Sequence, residues 1–175
     1  IEGLVTFDAE RASEVAQGLF RDLGAGASED LEPSDYFCLL FIDGLSAQEE
    51  RVTALLADAI DGVRIAGGSA GDDLAFTRTE VLCGDRAASG AAVLVMGRME
   101  STRVRILKHQ HFVTTPRTLV ITRADPATRT VYEMDGYPAV EAYAAALGLP
   151  KHELTGDVSF LNPITFSCNG EIYVR

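Results

Sequence analysis

Gly67-Gly68-Ser69-Ala70-Gly71 matches G-x-S-x-G, the pattern that sets a nucleophilic serine on a strained strand-to-helix turn. Hydrolysis through Ser69 would need a helix directly after it to supply an oxyanion-hole amide, then an acid and a histidine. The next residues, Asp72-Asp73-Leu74-Ala75-Phe76-Thr77-Arg78-Thr79, lean towards strand and lack helical period. Only His152 comes after a plausible acid such as Asp135, whereas His109 and His111 precede it. The nucleophile reading therefore lacks its supports, and no catalytic residue is expected. A phosphate cradle fares no better, because two aspartates and no Lys-Ser or Lys-Thr come after the glycines. Two readings remain for Gly67, Gly68, Ser69, Ala70, Gly71 and Asp72. One is a tight turn whose amides admit a small ligand, and the other is glycines that serve only to reverse a strand.

A second group lies in Thr102–Val113. Read as a strand, its period of two puts Arg103, Arg105, Leu107, His109 and His111 on one face. Two imidazoles two residues apart could share a metal or offer one nitrogen to a haem iron, with arginines on the propionates. No third ligand lies nearby in the sequence, so a structural metal is not expected. A single imidazole touching a ligand is one reading, and a solvated face is the other.

The composition sets what can position these residues. The 175 residues are 47% hydrophobic and 23% charged, enough for one domain, or a domain and a fragment, with a proper core. Fifteen basic against 26 acidic side chains give a net charge of −11, which argues against nucleic acid as a partner. No apolar run is long enough to span a membrane, and no leader opens the chain. Cys38, Cys83 and Cys168 are too widely spaced for a zinc or redox motif and read as buried thiols of a reducing, cytoplasmic compartment. Both ends read as cut from something longer.

Along the chain, Leu4–Phe7 reads as a strand end, and Asp8 as the N-cap of a one-sided helix that stops at Gly24. Ala25–Asp35 reads as a loop. Tyr36–Ile42 is apolar on consecutive residues, as in a central strand covered on both faces. Ser46-Ala47-Gln48-Glu49 has the form of a capping box opening a helix that ends at Asp61-Gly62. Strands are expected at Phe76–Leu82, Ala91–Met96, Thr102–Val113 and Thr118–Thr122 as a meander, with another at Thr130–Met134. A helix begins after Pro138 and stops at Gly148, and a strand starts near Glu171 after the Asn169-Gly170 turn. The expected class is α+β, a mixed and largely antiparallel sheet with helices packed on it.

Five segments in order carry a family resemblance: Leu39–Gly44, Gly67–Asp72, Val120–Ala124, Val131–Ala139, and Leu161-Asn162-Pro163 with Gly170–Arg175. Together they resemble a FIST domain, the sensory module of F-box and intracellular signal-transduction proteins. The resemblance implies an N-terminal-type region over residues 1–123 and the incomplete start of a C-terminal-type region over 124–175. It also implies a bacterial-type, non-catalytic sensor that binds a small molecule and signals to a histidine kinase, a cyclic-dinucleotide enzyme or a similar output. Ligands implied by the family are amino acids or, in some members, haem responding to nitric oxide. In a haem-binding member of this kind, His109 or His111 would be the axial ligand. The ligand site expected from all of this comprises Gly67, Gly68, Ser69, Ala70, Gly71, Asp72, Arg105, His109 and His111. The competing classes are a serine hydrolase using Ser69 and a ligand-free interaction scaffold.

Overall fold

The computed structural model describes residues 1–24, 32–126 and 128–174. The expected loop at 25–35 lies outside the described residues over 25–31, and Pro33–Asp35 forms a single 3-10 turn. The chain is α+β, and it divides into two compact units, Ile1–Lys108 and His109–Arg175.

The first unit is built on a three-stranded sheet in the order β2-β1-β5, with β1 at Tyr36–Asp43, β2 at Arg64–Ala70 and β5 at Ala92–Arg98. β1 pairs parallel with β2 and antiparallel with β5. The parallel pair is joined by α2, Glu49–Ala59, which makes the crossover that parallel strands require. α1, Ala9–Asp22, packs beside it and begins where the Asp8 carboxylate accepts from the Arg11 amide at 3.0 Å, as expected of an N-cap.

One face of the sheet packs on the helices. Leu40 and Ile42 meet Phe7, Ala12, Val52 and Leu56 in one cluster, and Tyr36 and Cys38 meet Ala16, Ile60 and Met96 in another. The alternate β1 side chains behave differently: Leu39 is 36% exposed and Phe41 47% exposed. Coverage of β1 on both faces is thus not what the first unit provides. Its described helices come from one side, and an unbroken apolar run does not record which side that is.

Other expectations are corrected in the same way. Leu4–Thr6 is a 3-10 turn that buries Leu4 and Phe7 three residues apart, and Arg51 of α2 donates to the carbonyls of Leu4, Val5 and Phe7. Ile1 and Ala92 exchange backbone hydrogen bonds at 3.0 and 2.8 Å, and the Leu4 amide donates to the Gly90 carbonyl at 3.2 Å. The capping box does not form: Ser46 Oγ donates to the Asp43 carbonyl at 2.6 Å, and the helix starts only at Glu49. Of the expected meander, Ala91–Met96 is met by β5 and Thr118–Thr122 in part by a strand at Ile121–Asp125, whereas of Phe76–Leu82 only β3 at Val81–Cys83 forms, as a hairpin with β4 at Arg86–Ala88. Thr102–Val113 joins no strand ladder among the described residues. Val104 and Ile106 share the face opposite Arg103 and Arg105, yet both stand exposed with no neighbouring strand to pair with among the described residues.

The second unit contains the antiparallel sheet β6-β7-β8, with β6 at Ile121–Asp125, β7 at Thr130–Met134 and β8 at Tyr137–Pro138. Asp135 and Gly136, both with left-handed φ of 53° and 80°, make the two-residue turn between β7 and β8. α3, Ala139–Leu147, ends at left-handed Gly148, and the Arg117 guanidinium donates to the Ala145 and Ala146 carbonyls at its C-terminus. A short α4, Gly156–Leu161, precedes a hairpin of β9, Thr165–Cys168, and β10, Glu171–Val174. The hairpin turns at Asn169-Gly170 as expected.

Candidate functional site

The glycine segment is a strand rather than a loop. Gly67, Gly68, Ser69 and Ala70 lie in β2, in register with Leu40, Phe41, Ile42 and Asp43 of β1. The glycines have separate reasons for being there. A Cβ on Gly67 would overlap the Leu40 carbonyl, and one on Gly44 would stand 2.5 Å from the Ala70 oxygen. At Gly68 and Gly71 no atom lies within 4 Å of where a Cβ would stand, and neither has a left-handed φ. Internal packing and backbone conformation therefore require glycine at 67 and 44 and do not require it at 68 and 71.

The strand ends carry two carboxylates. Asp43, 4% exposed, closes β1. Its Oδ1 accepts from the Leu45 amide at 2.9 Å and from the Thr79 hydroxyl, and its Oδ2 accepts from the Gly90 amide at 2.5 Å. Burial alone would raise its pKa, but the Thr79 hydroxyl and the amides of Gly90, Leu45 and Ser46 together hold it below the usual carboxylate range. Asp72 stands just beyond β2. It accepts from the amides of Phe76, Thr77 and Arg78 at 2.9, 2.6 and 3.0 Å and from the Thr77 hydroxyl at 3.2 Å. The Thr77 and Arg78 amides lead in pulling its pKa down to about 2.

Asp72 explains why the β-leaning sequence after Gly71 does not form the expected strand at Phe76–Leu82. The amides of Phe76, Thr77 and Arg78 are spent on its carboxylate, and only Val81–Cys83 remains for a ladder. The segment carries left-handed φ values at Asp73, Leu74 and Phe76 and leaves Leu74 and Phe76 more than half exposed.

The chemistry open to this arrangement is limited. A general base works with a pKa near the working pH, whereas Asp43 and Asp72 are both held ionised well below it. Ser69 sits within a strand, and the residues after it wrap around a carboxylate instead of starting a helix. Asp43 and Thr79 are not among the residues that the sequence singles out. The signal available was an aspartate closing a wholly apolar run, a position where a buried carboxylate needs donors.

Within the first unit, Arg105 lies apart from the glycine segment. Arg105 lines a cavity of about 720 Å³ where β1 and β2 begin, with Tyr36, Phe37, Arg64 and Arg103. Ala70–Asp72 lie where those strands end, about 20 Å along β1 at the usual rise per residue. His109 and His111 belong to the second unit, and both are exposed, with the His111 ring 4.2 Å from that of Phe112. Haem needs an apolar slot around its axial imidazole, and His109 and His111 stand exposed in chain with no ladder around it, so these residues do not fit it. No cluster of three metal-ligating side chains occurs among the described residues. Of the three cysteines only Cys38 is buried, and its thiol is raised by burial to about 11. Cys83 and Cys168 are exposed, which corrects the expectation of three buried thiols.

No helix among the described residues is long and apolar enough to cross a membrane. No curated protein and no solved structure matches the chain. A family model does match: the FIST N domain, over residues 3–137, which takes in β1, the glycine-bearing strand β2 and the sheet of the second unit. By that match the chain belongs to the FIST family of signal-transduction sensory domains.

Proposed function

We propose that this chain is a non-catalytic sensory module that takes a small ligand against the outer end of β2. Its occupancy is passed to a separate or fused output such as a histidine kinase or a cyclic-dinucleotide enzyme. The observation that carries this reading is the pair Gly68 and Gly71, whose missing side chains have no internal use. Bare backbone that the protein itself does not pack against gives a ligand a close approach to amides and carbonyls. Gly68 pairs with Phe41, which is 47% exposed, so an apolar surface adjoins the open backbone. Ala70 shares the face of Gly68 and, with Asp72 fixing the chain beyond, completes the rim, while Ser69 leaves the opposite face with Ile42. The ligand class is an amino acid or comparable metabolite, and the setting is the cytoplasm.

A thermal-shift screen of amino acids and related metabolites tests this, since binding to the native state raises the melting temperature. A stabilising compound is expected, with its effect abolished by Gly68→Leu and kept by Ser69→Ala. Hydrolysis of activated esters that stops in Ser69→Ala would overturn the reading in favour of an enzyme. A blank screen together with direct capture of an output protein would favour the scaffold.

A further inference from the structure

The cavity where β1 and β2 begin lies at the opposite end of the sheet from Gly68 and Gly71. In a chain with 26 acidic side chains, arginines are expected to find carboxylates. Arg78, Arg86 and Arg123 do so, and Arg51 and Arg117 are consumed by backbone carbonyls. Arg64, Arg103 and Arg105 line one cavity, and no hydrogen bond or ion pair joins their guanidinium groups to a described residue.

The apolar part of the cavity is also built in. Phe37 and Arg64 are register partners on β1 and β2, so their side chains leave the same face. On the other side Phe37 pairs with Gly97, and a Cβ there would stand 2.5 Å from the phenyl ring. The glycine thus lets the ring lie across β5. Glu32, Asp35 and Glu100 line the cavity too, and Glu32 already accepts from Ser34 Oγ at 3.3 Å. With charges balanced in this way, long-range attraction of small inorganic anions is weak, and affinity has to come from forked hydrogen bonds and ring contact.

We propose that this cavity binds an organic oxyanion, a carboxylate or phosphate ester carried on a flat apolar body. Arg64, Arg103 and Arg105 hold the oxygens, and Phe37 supports the body. Guanidinium forks match the planar geometry of both oxyanions, and the volume suits a small metabolite.

Isothermal titration of the whole chain with benzoate, phenyl phosphate and neutral benzyl alcohol tests this. At least one oxyanion is expected to bind, more weakly at high salt, with benzyl alcohol silent. A preference for phenyl phosphate assigns the site to phosphate esters, and one for benzoate assigns it to carboxylates. Arg103→Gln with Arg105→Gln should weaken binding roughly a hundredfold, about tenfold for each charged contact. Arg64→Gln should weaken it about tenfold. Unchanged affinity in these variants, equal binding of benzyl alcohol, or no oxyanion binding to the unaltered chain would overturn the proposal. Gly68→Leu, which probes the other site, is expected to leave the titration unchanged.

Discussion

The Thr79 hydroxyl donates to Asp43 Oδ1 across 36 residues of sequence, joining the end of the central strand to the loop after β2. Asp43→Ala would leave that hydroxyl and the amides of Leu45 and Gly90 without their acceptor. The expected loss is about 3 kcal/mol, as for a buried charged acceptor with several donors, against about 1.5 kcal/mol for Thr79→Val. Urea denaturation of the single and double variants checks this, and the double variant is expected to lose less than the two losses added.

Acid should release both carboxylates. Each has a folded pKa below the unfolded range, so its stabilising effect is fully present above about pH 4 and is lost as pH falls through the folded value. For Asp72 the window runs from about pH 4 to about 2. Hydrogen exchange at the Phe76, Thr77 and Arg78 amides should accelerate across that window. Asp72→Asn should accelerate it already at neutral pH while leaving the amides of β1 protected.

Neighbouring glycines in β2 should respond oppositely to a methyl group. Gly67→Ala drives a side chain into the Leu40 backbone and is expected to cost more than about 3 kcal/mol. Gly68→Ala meets open space at an ordinary φ and should change stability by less than about 1 kcal/mol. Thermal melts of the two variants separate these outcomes.

At the other end of the sheet, Gly97→Ala should destabilise by about 1 to 3 kcal/mol through contact with the Phe37 ring. Adding Phe37→Ala should recover part of that loss. A double-variant cycle in urea measures the coupling, and a cycle without coupling would count against the ring lying over Gly97.

Thiol titration under native conditions should show fast reaction of Cys83 and Cys168 and slow reaction of Cys38. Burial raises the Cys38 thiol to about 11, so little thiolate is available at neutral pH. In denaturant all three should react together.

Structure is legible in this sequence where local chemistry decides it. The Asp8 cap, the left-handed stops at Gly24 and Gly148 and the Asn169-Gly170 turn depend on single residues whose preferences suffice. Tyr36–Ile42 is legible as a central strand, but the face that the helices of the first unit cover is not, because an apolar run reads the same on both faces. The capping box fails because Ser46 Oγ, anchored on the Asp43 carbonyl in the turn after β1, accepts from the Gln48 amide at 3.3 Å instead of that of Glu49. Gly67–Ala70 reads as a loop because glycine disfavours strands, yet parallel pairing with β1 and close approach to Leu40 place it in one. Thr102–Val113 has a strand-like alternation without a partner to pair with, and pairing is a property of the fold and not of the segment. Of the expected ligand site, the stretch from Gly67 to Asp72 is contiguous by sequence, while the cavity holding Arg105 depends on where β1 and β2 begin.

The exchange of hydrogen bonds between Ile1 and Ala92 has a kinetic consequence. The parallel pair of β1 and β2 closes locally through α2, but the backbone of Ile1 and of Leu4 meets Ala92 and Gly90 only after β5 has been made and laid against β1. Leu4 and Phe7 can already pack on α2, through the cluster with Val52 and Leu56 and the Arg51 hydrogen bonds, so only the contacts to Gly90 and Ala92 wait for β5. Closure of this long loop is expected to be the slow step in folding of the first unit.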